Sequence, residues 1–408
     1  MWIYIKLAWR NILRNKRRTI IAGTSIGIGL ASLIFVDALM IGMEENMVKS
    51  ATASFLGEGQ IHREGFRKTQ EVEKTISNLD WVVSNLKNEG IVQHFAMRTL
   101  SFGMTTSAAN VSSVILVGVQ PSTEKYLSQI DEAIVKGSFF GNNDEQAIVI
   151  GSKLAEMLEV DMGERVVLTV AQSKTGQLSQ DMFLVAGIYH FNVREMDSGM
   201  AFVHLGKAQE MLALGEDIHE IAIRFTDNTY GRDKSLTFWS KYSQYGNEAV
   251  GWTEILPQME AAFSMFQLST YITGAILFGV VAFGIINTLF MSLHERMFEF
   301  GVLRAVGTRP FRMALLILFE ACFLAVLSIA LGAILGFIST YITTKTGIDY
   351  RGIEMMGVTM RELLYPVLNL KQFIYYPFWV FVFTAFTGIY PAIHAARMLP
   401  AEAMRKSF

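Results

Sequence analysis

Long charge-free stretches alternate with basic knots along this chain, and that alternation predicts most of its layout. A helix that crosses a bilayer needs roughly 20 consecutive, mostly apolar residues. Residues 20–40 meet this, with Asp37 the only charge. Residues 268–293 carry no charge, residues 313–340 carry only Glu320, and residues 373–393 are aromatic-rich, with Pro377 and Pro391 near their ends. Four membrane-spanning helices are therefore expected. The first run is longer than the apolar core of a cleaved signal peptide, about 7–15 residues, and no small-x-small site follows it.

Between the first two spans the periodicity changes. Alternating or β-branched runs predict strands at 112–119, 147–150, 165–171, 182–188, 201–203 and 220–225. Helical spacing appears at 152–158 and 206–214, and the polar Lys174-Thr175-Gly176 predicts a hairpin. The fold class expected is an α-helical membrane protein with four transmembrane helices and a mixed α/β extracytoplasmic domain inserted between helices 1 and 2. From Ile255 the pattern turns helical and enters the second span without a breaker after Pro257, which predicts either a stalk or a membrane-proximal amphipathic connector; residues 43–53 after the first span read in the same two ways.

Composition agrees. Charged residues make up 18% of the 408, against about 25% in soluble domains, and mean hydropathy is +0.33. A net charge of −2 gives no argument for nucleic acid, and the single cysteine, Cys322, rules out an intrachain disulfide.

The distribution of Lys and Arg sets the orientation. Basic clusters precede the first span (Lys6, Arg10, Arg14, Lys16, Arg17, Arg18), fill the link between spans two and three (Arg296, Arg304, Arg309, Arg312) and follow the fourth (Arg397, Arg405, Lys406). All three fall on one side, which is read as cytoplasmic. The boundaries expected are a cytoplasmic elbow at 1–19, spans at 20–41, 268–293, 313–340 and 373–393, and an outer domain at 42–267. A coupling helix at 294–312, an outer loop at 341–372 and a cytoplasmic tail at 394–408 complete the layout.

The link between spans two and three reads His294-Glu-Arg-Met-Phe-Glu-Phe-Gly-Val-Leu-Arg-Ala-Val-Gly307. A short amphipathic helix would set Phe298, Val302 and Leu303 against the bilayer or a partner groove, and Glu299 could pair with Arg296 at three-residue spacing. Physics alone also accommodates a plain interfacial helix. The stretch, however, resembles the Glu-Arg-x-x-Glu-x-Gly-x-Leu-Arg-Ala-x-Gly signature of the FtsX-like permeases, the superfamily that includes MacB and the lipoprotein-releasing LolC and LolE subunits. It matches at Glu295, Arg296, Glu299, Gly301, Leu303, Arg304, Ala305 and Gly307. The opening Ala8–Thr19 resembles the family's elbow, residues 148–155 and 162–166 its periplasmic core domain, and 391–405 its closing motif.

The resemblance implies a permease subunit of an ABC transporter in a bacterial inner membrane. A separate ATPase dimer would bind ATP and Mg and engage the eight signature residues. A second permease copy or paralogue is also implied, and the work is done outside the membrane. No G-x-x-x-x-G-K-[ST] loop occurs, so the ATPase must be another chain and this one needs no cofactor. The leading expectation is release of lipoproteins; the alternatives are MacB-like efflux of peptides, toxins or antibiotics and FtsX-like signalling to a cell-wall hydrolase. A periplasmic chaperone would serve the first and an adaptor the second. Phe35, Leu39, Met43, Phe263 and Phe266 could bind acyl chains of a lipoprotein or other lipophilic substrate. No H-E-x-x-H or nucleophile elbow appears, and His62 in Gln60-Ile-His62 is read as a family mark. Glu320, two turns beyond Arg312, is expected to reach the interface or else to make a bundle-facing polar contact, and Asp37 to lie at the outer interface.

Overall fold

The computed structural model describes residues 2–14, 16–140, 145–191, 193–295, 297–351, 354–355, 358–359 and 363–397. The chain divides into a helical unit (residues 1–45, 263–349 and 363–408) and a mixed unit (residues 46–262 and 350–362).

The four apolar runs all lie in long helices: Lys16–Ala51, Pro257–Glu295, Pro310–Thr346 and Gln372–Arg397. Thirty-six residues at about 1.5 Å each make roughly 54 Å of helix, well beyond the bilayer's apolar core of about 30 Å. The surplus on the first two helices falls where the stalks are expected. Pro310 opens the third helix, where its missing N–H costs nothing.

Inside the helical unit, Ala22, Ile26, Leu30 and Ile34 form one stripe of the first helix. They pack with Val281, Ile285, Leu289, Ala321, Leu324 and Val380 from the other three. The first and third helices approach through small residues. A Cβ on Gly332 would stand 2.7 Å from the carbonyl oxygen of Gly27, and one on Gly336 would stand 3.3 Å from Cα of Ala31. In lipid, where apolar burial gives little drive, such backbone proximity supplies the packing. Asp37 accepts a hydrogen bond from Nε2 of Gln372 at 2.8 Å, joining the first helix to the fourth. The elbow is the helix Trp2–Arg14, with Ala8 in a second cluster beside Leu293, Phe300, Met313, Leu316 and Ile317.

The mixed unit is built on ten strands: β1 (Gly59–Arg63), β2 (Val92–Thr106), β3 (Val111–Val119), β4 (Ile134–Gly137), β5 (Ala147–Gly151), β6 (Arg165–Ala171), β7 (Leu178–Tyr189), β8 (Met200–His204), β9 (Glu220–Phe225) and β10 (Asn247–Gly251). Their order is β10-β1-β9-β2-β3-β8-β5-β7-β4, with β6 joining β7 back to β2. The pairing therefore closes a ring, β2-β3-β8-β5-β7-β6. β6 and β7 form the expected antiparallel hairpin, Arg165 opposite Leu184 and Ala171 opposite Leu178. Within the ring β3 and β8, and β5 and β7, run parallel. Val114, Leu116, Ile148, Ile150, Leu168, Phe183, Val185 and Val203 make the main core, onto which helices Ser152–Leu158 and Leu205–Leu212 pack. The expected helix at 206–214 is observed at Leu205–Leu212, ending early because Ala213 takes a left-handed conformation at its C-cap.

Beside the ring, β1 lies between β9 and β10, with Gly59 opposite both Gly251 and Ile223. β1 is the first strand of the insertion and β10 the last, so the inserted chain arrives and departs on neighbouring strands. Their glycines are structural: a Cβ on Gly251 would stand 2.0 Å from the carbonyl oxygen of Gly231.

Candidate functional site

The signature residues gather around the short helix Met297–Ala305. Phe300 and Gly301 face inward, and Phe300 enters the cluster with Leu293, Met313 and Ala395. The opposite side is open: Phe298 is 51% exposed, and Val302, Leu303 and Val306 also face out. An exposed apolar row beside charged residues is suited to docking in a groove of another protein. The helix ends through backbone bonds from Val306, Gly307 and Thr308 to the carbonyls of Val302, Arg304 and Leu303. Gly307 sits at φ +98°, a conformation that requires glycine, which explains its place in the signature.

The charged members divide. Nη1 of Arg304 donates to the carbonyl of Thr308 at 3.2 Å, so this side chain closes its own turn. Glu299 accepts from Nη2 of Arg14 at 2.8 Å, a pair half-open to solvent that joins the elbow to the signature helix. Sequence spacing offered Arg296 as partner; that residue lies outside the described ones, as do residues 400–405 of the closing motif. Glu295 ends the second long helix and is exposed, as are Leu303 and Ala305.

A second elbow contact has a partner that the sequence did not mark. Glu320 is only 4% exposed, in the third helix, and its Oε1 accepts from Nδ2 of Asn11 at 2.6 Å. Its burial against the elbow is the bundle-facing polar contact considered for it from the sequence. The sequence signal available was Asn11 at a fixed distance before the first span, with nothing to mark its partner 309 residues away. Trp9 meets Phe323 edge-on, 5.3 Å between ring centres, one turn from Glu320.

Of the five residues considered for acyl chains, Phe35, Leu39 and Phe266 are half-buried and Met43 and Phe263 are buried. Phe263 and Phe266 lie 6.4 Å apart on one helix.

In the mixed unit four polar groups lie in a row across the sheet, all buried but Glu248. His62 stands opposite Glu248 on one side and Glu220 on the other, and Glu220 stands opposite Arg98. Burial pushes the His62 imidazole below its usual range, against the pull of its backbone contact and of Glu220 and Glu248. The His219 imidazole is pushed down for the same reason: burial outweighs the bond its Nε2 makes to the carbonyl of Val72. Its Nδ1 accepts from the N–H of Leu100 at 3.0 Å, which fixes the tautomer.

Ser152, His190 and Asp197 also meet, at 2.8 Å and 3.0 Å, but both contacts fall on Nδ1 of His190. A nucleophilic triad needs the base to face serine with one nitrogen and acid with the other, so this cluster is not built for that chemistry. No group of three or more His, Cys, Asp or Glu arranged for a metal occurs among the described residues.

Comparison with known proteins matches both units. The family profile of the MacB-like periplasmic core domain matches residues 19–230, and that of the FtsX-like permease C-terminal region matches residues 271–400. The chain is 19% identical to the lipoprotein-releasing system transmembrane protein LolE of Haemophilus influenzae, over 98% of each chain. It is 22% identical to LolC of Xylella fastidiosa over 71% of this chain and 72% of that protein. Among solved structures, the extracellular domain of the transporter YknZ from Gram-positive bacteria is similar with TM-score 0.34 and 12% identity, covering 47% of this chain and 98% of that one. The periplasmic region of MacB from Actinobacillus actinomycetemcomitans is similar with TM-score 0.34 and 14% identity, covering 50% and 92%.

Proposed function

Because the chain belongs to the FtsX-like permeases with a MacB-like periplasmic core domain, and is thus a permease subunit of an ABC transporter, we propose that it couples a partner ATPase to the release of lipoproteins from the membrane. The observation that carries the substrate class is the match to LolE along the whole of both chains. Family membership brings an ABC ATPase and a lipid environment as partners. A second permease copy or paralogue and a periplasmic chaperone belong to the proposal, as does an orientation with both termini and residues 294–312 cytoplasmic.

In this reading the row Phe298, Val302, Leu303 and Val306 seats in the ATPase, and Gly307 and Arg304 hold the turn that presents it. Glu299 passes the load to the elbow through Arg14. The two stalks, at 43–53 and 255–267, carry movement to the outer domain, and no substrate channel is required. Acyl chains would sit near Phe35, Leu39 and Phe266, each buried methylene contributing about 0.8 kcal/mol.

The test is co-purification from mild detergent followed by mass spectrometry, for the natural chain and for Glu299→Lys and Arg304→Glu. An ATPase recovered with a second permease and a lipoprotein is the expected result. Recovery with an adaptor would move the substrate reading to efflux. Both variants should insert normally and hydrolyse ATP without release; normal release by both would overturn the coupling role.

A further inference from the structure

Within the mixed unit the first long helix ends in an unusual turn. The α-helical ladder of Lys16–Ala51 gives way to one π-helical turn, Thr52–Leu56, before Gly57 at φ +75° leads into β1. Such widened turns shift one residue away from where an α-helix would place it, and they concentrate at functional positions. The residue held here is Phe55, which is almost wholly buried and meets Phe202 edge-on at 5.5 Å. Over its ring lies the guanidinium of Arg98, 3.8 Å from the ring centre.

Arg98 has no exposed surface at all. Its Nε and Nη2 donate to Oε2 and Oε1 of Glu124 at 3.0 and 2.6 Å, and its Nη1 donates to Oε1 of Glu220 at 3.0 Å. Burial alone would lower its pKa, but Glu124 and then Glu220 raise it, so the cation is kept. The N–H of Gln129 donates to the carbonyl of Ala53 at 2.9 Å, adding a backbone tie to the same turn. A buried ion cluster is a poor choice if stability is all that is needed, because well-packed apolar residues serve as well or better. What three fixed hydrogen bonds give is direction: a planar cation held rigidly against one aromatic face.

We propose that Arg98 is the anchor that makes the sheet follow the top of the first long helix. Glu124 and Glu220 fix the guanidinium from two sides, and the guanidinium grips Phe55. Displacement of residues 46–56 then passes directly into β2 and β9 with no hinge between. Arg98 is thus a positioning residue, and its role in transport rests on the reading of the chain as a permease that transmits movement.

The experiment uses the full chain with its co-purified ATPase in nanodiscs, in a Cys322→Ser background, spin-labelled at Lys49→Cys and Ser113→Cys. Two variants are compared with the parent: Phe55→Leu, which leaves all three charges paired, and Arg98→Met/Glu124→Gln/Glu220→Gln, which removes them together. The parent should give one narrow distance distribution. Both variants should broaden it while their melting temperatures stay within a few degrees. Release of a tagged triacylated lipoprotein per ATP hydrolysed, read in proteoliposomes, should fall at least five-fold. If the triple variant fails to fold, Phe55→Leu decides alone. A narrow distribution or undiminished release per ATP in folded Phe55→Leu overturns the anchor. The distance arm needs no nucleotide, so its failure is distinct from failure of the coupling reading, which Glu299→Lys tests in parallel.

Discussion

Asn11 of the elbow donates from Nδ2 to Oε1 of Glu320, 2.6 Å away and buried in the third long helix. A carboxyl group in that setting is costly unless it is hydrogen-bonded, and the elbow supplies a donor. The elbow is therefore held to the helical unit by a buried polar contact as well as by Ala8 and Trp9.

Removing the donor should be felt. Asn11→Leu is expected to cost about 1–3 kcal/mol, the range for leaving a buried polar atom short of a partner. Glu320→Gln keeps an acceptor and should cost less. Thermal unfolding of the full chain in detergent checks the order of the two.

The Arg14–Glu299 pair should behave differently. It is half-open to water, so Arg14→Ala should change stability by only about 0.2–1 kcal/mol. Its interest is in coupling. If Glu299 acts through Arg14, the swap Arg14→Glu/Glu299→Lys should restore release lost in Glu299→Lys. Release that stays lost would place the action of Glu299 on the ATPase itself.

Close approach of the first and third helices makes a sharper prediction. Gly332→Leu would drive a side chain into the backbone of Gly27, where even a Cβ stands 2.7 Å from its carbonyl oxygen. A loss of about 1–3 kcal/mol or more is expected, as for overpacking generally. Gly279→Ala, with nothing within 4 Å of its Cβ, is the matched control and should be nearly silent.

Two buried imidazoles predict a pH dependence. His62 and His219 both have folded pKa values lowered by burial from about 6.5. As pH falls through that value the unfolded chain takes up protons that the folded chain refuses, so stability falls between about pH 7 and pH 5. Melting temperature should drop over this window, and His62→Gln and His219→Gln should each flatten the profile.

The Ser152–His190–Asp197 cluster should be inert. With both partners on one nitrogen, Asp197 competes with Ser152 for that nitrogen and is not placed on the opposite one to orient a base, and a fluorophosphonate probe should leave the protein unlabelled. Labelling lost in Ser152→Ala would contradict this reading.

What the sequence revealed follows from how local the signal was. Charge-free runs of helical length exposed the four long helices, and β-branched runs located β3, β5, β6, β7, β8 and β9, two of them, β6 and β9, to the residue. β1 and β2 escaped because their buried positions hold Gln60, His62 and Arg98, polar residues that break the apolar alternation; the Arg98 partners Glu124 and Glu220 lie 26 and 122 residues away. Closure of the ring through β6 depends on pairs such as Gly103 with Val170, which no local pattern encodes. The signature was legible as a motif, and Gly307 explains itself through its φ. The elbow's grip on Glu299 and Glu320 was not legible, since both contacts span some 300 residues of sequence.

The adjacency of β1 and β10 has a wider consequence. Because the insertion begins and ends on hydrogen-bonded neighbours, with Gly59 facing Gly251, its two ends are closed by its own sheet. An insertion of this kind is a cassette: its outer loops and surface can be rewritten so long as that glycine-lined doorway and the Arg98 anchor beside it are kept. A single membrane engine could in this way be fitted with different outer heads over evolutionary time, or in the laboratory by grafting at the doorway.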